Sequence, residues 1–145
     1  MKRATEGHAV IEIALMLPWI FLLFIAVFDF GLYAYSAISV ENAARVAALH
    51  TSSNSQLAND STTACFYAVQ ELQKASNVAW LPSNYSCTGA PLRVTAAATK
   101  VNGIPASQVT VTYQAVAGIP IPWFSGFYSI TRIVSMRQSD ESATP

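Results

Sequence analysis

Residues 7–50 read GHAVIEIALMLPWIFLLFIAVFDFGLYAYSAISVENAARVAALH, and this stretch decides the fold of the 145-residue chain. No charged residue occurs between Ile13 and Phe28. A helix needs ~20 residues, at ~1.5 Å each, to cross a hydrocarbon core of ~30 Å. Alanine-rich sequence continues the helical pattern well past this apolar run. We therefore predict one long helix over residues 8–50, membrane-spanning in its first part.

The charge pattern orients this helix. Lys2 and Arg3 precede the apolar run, and the acidic residues Asp29 and Glu41 follow it. Because positive residues mark the cytoplasmic side of a membrane helix, we predict a single-pass topology with the amino terminus inside and everything after about residue 35 outside. The net charge is zero and charged residues make up 11% of the chain, so the basic excess of a nucleic-acid-binding protein is missing.

The two cysteines, Cys65 and Cys87, both lie on the predicted outer side. An even number of cysteines in an extracytoplasmic domain favours a disulfide. Such a bond closes a loop of about 23 residues and stabilises the fold by roughly 3 kcal/mol in the chain-entropy model. The alternative is a pair of buried free thiols.

Three interpretations of the apolar run differ in where the chain is cut. A cleaved secretory signal fits the basic start, and residues 34–36 could form its cleavage site, but the run exceeds the usual ~7–15 residues. An uncut anchor that presents a binding or adhesion domain is the second interpretation. It leaves unexplained why a carboxylate, Glu12, stands at the start of the run, since intramembrane carboxylates are usually functional.

The third interpretation is a prepilin-type signal, cut after Gly7 so that His8 becomes the first residue. Glu12 is then the fifth residue of the mature chain and lies ~6 Å along the helix axis from the new ammonium group. In a staggered bundle the carboxylate of one subunit can meet the ammonium group of its neighbour. Neither charge is then buried alone in the apolar bundle.

Four landmarks occur in order along this stretch, namely Gly7 followed by Glu12, Leu-Pro at 17–18, Asp-Phe-Gly at 29–31 and Asn-Ala-Ala-Arg at 42–45. With them, the segment resembles the amino-terminal region of TadE-like pseudopilins of tight-adherence pilus systems. The resemblance implies a minor pilin-like subunit in the bacterial inner membrane, processed by a prepilin peptidase. Its implied partners are other pilin-like subunits and the assembly machinery of a type IV pilus, and it could enter the surface filament itself.

Two features of the long helix affect its packing. Pro18 cannot donate a backbone hydrogen bond, so we expect a kink there. Small residues form a stripe in the second half and allow close approach of another element, which we expect to be the chain's own sheet. The members of this stripe are Val40, Ala43, Ala44, Ala47 and Ala48.

The remaining chain predicts an α+β domain over residues 51–138, between a leader at 1–7 and a flexible tail at 139–145. A second helix is expected to begin near Asp60 and Ser61, which are good amino-terminal caps. Its predicted buried face consists of Cys65, Ala68, Val69, Leu72 and Ala75.

Apolar and polar residues alternate in three segments, at residues 92–99, 108–115 and 129–137. This pattern predicts a small antiparallel sheet of about three strands with one buried face. Asn102 and Gly103 predict a hairpin between the first two strands. The core beneath such a sheet is small, so the long helix is expected to cover part of it.

The segment 118–127, GIPIPWFSGF, combines two prolines with three aromatic residues. Trp123, Phe124 and Phe127 either fold over the domain's own core or form an exposed patch for a partner subunit or a membrane surface. The residues leave both alternatives open.

No pattern for catalysis stands out in the sequence. His8 and His50 have no companions at metal-ligand spacing, and two cysteines cannot form a zinc cluster. His50 is interpreted as a cation near the carboxyl end of its helix. We therefore expect a non-enzymatic, structural protein without a metal, a cofactor or a small-molecule substrate.

Overall fold

A computed structural model of the protein describes residues 6–75, 81–116 and 126–139. The elements follow in the order helix α1 (Glu6–Thr51), a 3-10 turn (Leu57–Asn59), helix α2 (Ser61–Leu72) and strands β1 (Thr88–Gly89), β2 (Leu92–Val101), β3 (Ile104–Val116) and β4 (Phe127–Arg137). This confirms the predicted α+β fold, with two differences. The sheet has four strands rather than three, and a 3-10 turn lies in the predicted loop after α1.

Helix α1 runs for 46 residues and continues through Pro18. Its end is fixed by Thr51, whose buried hydroxyl lies 3.1 Å from the carbonyl of Ala47 and 2.7 Å from the hydroxyl of Ser107 on β3. The last turn of α1 is thereby attached to the sheet. The single long helix is confirmed, and the expected kink at Pro18 stays a prediction.

The small-residue stripe of α1 forms the centre of the domain. All five of its members are completely buried. They allow α1 to pack closely against β3 and β4, as predicted, and also against α2. Small side chains are required here because α1 lies in contact with another helix and a sheet at the same time.

Helix α2 begins as its cap residue predicts. The carboxylate of Asp60 accepts hydrogen bonds from the Thr63 hydroxyl at 2.6 Å and from the backbone N–H of Thr62 at 2.8 Å. These bonds, with a further one from the backbone of Thr63, lower the pKa of the Asp60 carboxyl. The buried face of α2 is the predicted one up to Leu72, where the helix ends.

The sheet is antiparallel throughout, in the order β1-β2-β3-β4. Strands β2 and β3 are joined by the predicted two-residue hairpin, because Val101 pairs with Ile104 and both Asn102 (φ 54°) and Gly103 (φ 81°) have positive φ. Positive φ at both central residues is the geometry of a type I′ turn. The odd-numbered residues of β3 from 107 to 115 are buried, and the predicted polar set faces outward.

Strand β1 was not predicted, since two residues are too few to show alternation. It covers only the start of β2. Beyond it, side chains close the edge of β2: the N–H of Ala96 donates to the Ser61 hydroxyl at 3.0 Å, and that of Ala98 donates to the Asn59 side-chain oxygen at 2.6 Å. Capping of these two N–H groups disfavours pairing of this part of the edge with another chain.

Strand β4 runs in the same direction as α1. Tyr128 at its start contacts Tyr33, with ring centroids 5.8 Å apart. Farther along, Arg132 lies beside Glu41. Past the end of the strand, the N–H of Ser139 donates to the Ser52 carbonyl at 3.2 Å. The start of β4 therefore lies at the level where α1 leaves the domain.

Candidate functional site

The exposed half of α1 is the most unusual surface of the molecule. From Val10 to Phe24 every large apolar side chain is more than half exposed. Burial of each such side chain is worth ~1.5–3 kcal/mol, so this half requires an apolar environment. Val10–Thr51, with a mean hydropathy of 2.6 in its most apolar window, is the one helix in the described part of the chain that is long and apolar enough to cross a membrane.

The predicted processing and assembly residues all lie at the start of this helix. The backbone is helical from Glu6, so Gly7 and His8 belong to the first turn. Glu12 is exposed on the same helix, and within the described residues it forms no ion pair. The arrangement leaves its carboxylate accessible to a group from another molecule.

The predicted disulfide is confirmed. Cys65 of α2 is bonded to Cys87, and their Cα atoms are 5.8 Å apart. Both residues are buried, and Cys87 directly precedes β1. The bond therefore attaches the chain after α2 to the beginning of the sheet, on the side away from β4.

Of the aromatic residues in the predicted patch, Phe127 is described, while Trp123 and Phe124 lie outside the described residues. Phe127 is the first residue of β4, and its side chain is 69% exposed. The connection between β3 and β4 begins and ends at this level, because Val116 pairs with Phe127. The assignment of Phe127 to a partner contact stays a prediction.

A groove that sequence reasoning missed lies where α1 leaves the domain. It has a volume of about 630 Å³ and is lined by Ala26, Asp29, Phe30, Tyr33, Phe127, Tyr128 and Ser129. Its two walls come from segments about a hundred residues apart, so only the pairing of β4 with the sheet and its direction along α1 bring them together. The aromatic residues of 118–127 were the one signal for this groove in the sequence. Their pattern does not predict that this part of the chain lies beside residues 26–33.

The histidine at the end of α1 is placed as predicted. His50 lies in the last turn and stacks on Tyr67 of α2, with ring centroids 3.5 Å apart and an interplanar angle of 3°. Within the described ranges, no group of three or more His, Cys, Asp or Glu residues could hold a metal ion. The stacking of His50 on Tyr67 is therefore a contact between α1 and α2.

The protein thus consists of a small α+β domain and one long helix. The exposed half of this helix is a candidate membrane anchor. Residues 7–49 match the model of the TadE-like protein family, so the resemblance of this segment is confirmed. The match covers α1 almost to its end and indicates a Tad pilus-associated, pilin-like protein. The comparisons with curated proteins and with solved structures gave no match.

Proposed function

We propose that the protein is a structural, non-catalytic pilin-like subunit that takes part in assembly of a tight-adherence type IV pilus. The observation that carries this proposal is the division of α1 into two halves. One half is the buried centre of the α+β domain, and the other projects from it with its apolar side chains exposed. A helix of this kind can be held in a membrane and can also pack among the same helices of neighbouring subunits.

In this proposal the exposed half crosses the bacterial inner membrane, with the amino terminus in the cytoplasm and the α+β domain outside. The position of Lys2 and Arg3 before the apolar run supports this orientation. The Cys65–Cys87 disulfide supports an extracytoplasmic domain, because disulfides persist in oxidising compartments.

A prepilin peptidase is proposed to cut the chain between Gly7 and His8. The freed ammonium group of one subunit then pairs with Glu12 of its neighbour in the assembled bundle. Two observations support this step: the TadE-like match begins at residue 7, and Glu12 is exposed on the apolar half of α1. Pairing of both charges removes the cost of burying either one alone.

The first test is the intact mass and amino-terminal sequence of the protein purified from its native membrane. A chain that begins at His8 is expected. A chain that keeps Met1 would indicate an uncut anchor, and one that begins near residue 37 would indicate a secreted domain. Both outcomes contradict the proposed pairing of Glu12.

The second test separates assembly from anchoring. Glu12→Ala should leave the protein in the membrane but reduce its copurification with other pilin-like subunits and the surface filaments. Glu41→Gln is the control. Glu41 lies in the half of α1 that belongs to the α+β domain, and it makes its ion pairs within the chain. Equal copurification of the Glu12→Ala variant and the wild type would contradict the assembly role.

A further inference from the structure

The two edges of the sheet differ. At the β2 edge, β1 covers the start of the strand, and the side chains of Ser61 and Asn59 bond to N–H groups farther along. At the opposite edge, β4 has no neighbouring strand beyond it. Its pairing with β3 continues without a bulge over all 11 residues, and the strand contains no proline or lysine. Bulges, prolines and lysines commonly block edge strands, so β4 lacks three of the usual protections.

The register of the sheet shows which backbone groups of β4 point away from it. Because Val101 and Ile104 close the two-residue hairpin, they form a hydrogen-bonded pair, and such pairs alternate along an antiparallel ladder. The even-numbered residues of β3 therefore bond to β2, and its odd-numbered residues bond to β4. Through the pairing of β3 with β4, the odd-numbered residues of β4 direct their N–H and C=O groups outward. The bond from the N–H of Gln138 to the carbonyl of Pro105 follows the same alternation.

Six residues of β4 present these outward groups, and all six are exposed. They are Phe127, Ser129, Thr131, Ile133, Ser135 and Arg137. One of their carbonyls, that of Thr131, accepts a hydrogen bond from the Arg132 guanidinium at 3.2 Å. Within the part of the chain that the structure describes, none of the six backbone N–H groups has an acceptor. A row of N–H and C=O groups that repeats every ~7 Å is matched by the backbone of another extended polypeptide.

The side of α1 next to this edge offers side chains to the same partner. Glu41 faces β4 through its ion pair with Arg132. Ile38 and Arg45 lie three residues before and four residues after Glu41, so they are on the same side of the helix. Ile38 is 62% exposed, and the side chain of Arg45 is 61% exposed. A strand added to β4 would therefore meet an exposed apolar side chain and two arginines that share one carboxylate.

A second copy of the chain fits this edge poorly. Because β4 runs in the same direction as α1, antiparallel pairing of two β4 strands would direct the two candidate membrane anchors to opposite sides. Two chains anchored in one membrane point the same way. The β2 edge of another copy is a poor donor as well, because its N–H groups at Ala96 and Ala98 are bonded within the chain. The added strand is therefore expected from a different chain.

We infer that the β4 edge binds an extended strand of another pilin-like subunit. This strand forms backbone hydrogen bonds with the odd-numbered residues of β4 and becomes the fifth strand of the sheet. On the side of α1 it carries an apolar residue toward Ile38 and an acidic residue toward Arg45 and Arg132. The inference rests on the proposed function, because the partner is taken from the pilus assembly.

Hydrogen exchange distinguishes strand addition from other kinds of contact. The full-length protein is purified from its native membrane in complex with other pilin-like subunits, and separately as the single chain in detergent. Exchange is resolved to single amides by fragmentation in the mass spectrometer. In the complex, the amides of Ser129, Thr131, Ile133 and Ser135 should exchange at least about tenfold more slowly than in the single chain. The even-numbered amides of β4 bond to β3 in both forms and should change much less.

Ile133→Pro removes one outward N–H group without removing a bond to β3, and edge strands tolerate proline at such positions. It should abolish the protection of the neighbouring outward amides and reduce copurification of the partner severalfold. Ile133→Ala is the matched control, since it removes the side chain and keeps the N–H group. Circular dichroism checks that both variants are folded. If the proline variant is not, the exchange pattern of the wild type still decides the question.

Arg45→Glu tests the side-chain chemistry of the partner strand. It reverses one of the two positive charges beside the edge and should lower the amount of copurified partner severalfold. Arg93→Glu is the control, because Arg93 is exposed on β2, on the other side of β3 from this edge. Equal amounts of partner with both variants would contradict the acidic residue assigned to the added strand.

Two results would overturn the inference. The odd-numbered amides of β4 could exchange equally fast in the complex and in the single chain, in which case the subunits assemble without strand addition. The purified chain could also be a dimer that already protects these amides, which would identify a second copy as the occupant. Recovery of the wild type without any other pilin-like subunit is a different result, because it would contradict the proposed assembly role along with the edge site.

Discussion

Glu41 on α1 and Arg132 on β4 form the ion pair that joins the long helix to the sheet among the residues that the structure describes, with 3.7 Å between Oε2 and Nε. Arg132 lies on the same face of β4 as the apolar residues Ile130 and Val134. Its position is explained by the direction of β4 along α1. The same carboxylate group binds Arg45, one turn farther along α1, at 2.6 Å.

The Glu41–Arg132 pair should contribute little to stability. Both side chains are 40% exposed, and water screens their attraction. Exposed pairs are typically worth ~0.2–1 kcal/mol, so a double-mutant cycle with Glu41→Gln and Arg132→Gln should give a coupling energy in this range. Urea unfolding in detergent, followed by circular dichroism, measures it. A coupling above ~2 kcal/mol would contradict the assignment to an exposed pair.

The small-residue stripe predicts the most sensitive position of α1. Ala44 is completely buried where α1 meets the rest of the domain. Ala44→Leu adds three carbons to a site without room, and overpacking of this kind typically costs ~1–3 kcal/mol. The free energy of unfolding should fall by that amount.

Asn42→Leu is the matched control for Ala44→Leu, because Asn42 is exposed in the same part of the helix. It should change the free energy of unfolding by less than ~0.5 kcal/mol. An equal loss of the free energy of unfolding in both variants would show that the small-residue stripe is not where α1 packs tightly against the rest of the domain.

The hairpin between β2 and β3 predicts a difference between two glycines. Gly103 has φ +81°, a conformation that costs other residues roughly 1–2 kcal/mol. Gly103→Ala should destabilise the protein by this amount. Gly89→Ala is the control, since Gly89 has no positive φ and the space around it is open. If Gly89→Ala were the more damaging of the two, the turn assignment would be wrong.

Removal of the Cys65–Cys87 disulfide should lower the free energy of unfolding by roughly 3 kcal/mol, because the bond restricts a loop of about 23 residues in the unfolded chain. A double variant, Cys65→Ala with Cys87→Ala, and the reduced wild type should both show the loss in urea unfolding. A reducing agent should have no effect on the double variant. An unchanged midpoint in the reduced wild type would mean that the loop is held by its packing alone.

The sequence was sufficient for the elements that local patterns define. The continuous apolar run predicted α1, the pair Asn102 and Gly103 predicted the hairpin, and Asp60 predicted the start of α2. Each depends on neighbours in the chain, so no knowledge of the tertiary structure was needed. The disulfide was also predictable, because the chain contains only two cysteines.

The parts that were missed depend on contacts between distant residues. Strand β1 has only two residues, and it is a strand because it pairs with the start of β2. The groove requires Tyr128 to lie against Tyr33, which follows from the pairing of β4 with β3 and its direction along α1. Alternation within a strand predicts which face is buried, but it does not predict which part of a helix lies opposite.

The cap of α2 predicts how stability depends on pH. Hydrogen bonds from Thr63 and Thr62 lower the pKa of Asp60 in the folded protein. The group therefore binds protons more readily in the unfolded state. Its contribution to the free energy of unfolding is fully present above the pKa of the unfolded state and is lost as the pH falls through the pKa of the folded state. The Thr62 N–H donates to Oδ1 of Asp60 and the Thr63 hydroxyl donates to Oδ2, so Asp60→Asn keeps one of the two acceptor oxygens and cannot titrate. The wild type should be more stable than Asp60→Asn at neutral pH, and this difference should shrink in acid. Urea midpoints of both proteins between neutral pH and pH ~2 measure it, and a difference that stays constant over this range would show that the charge of Asp60 does not stabilise the cap.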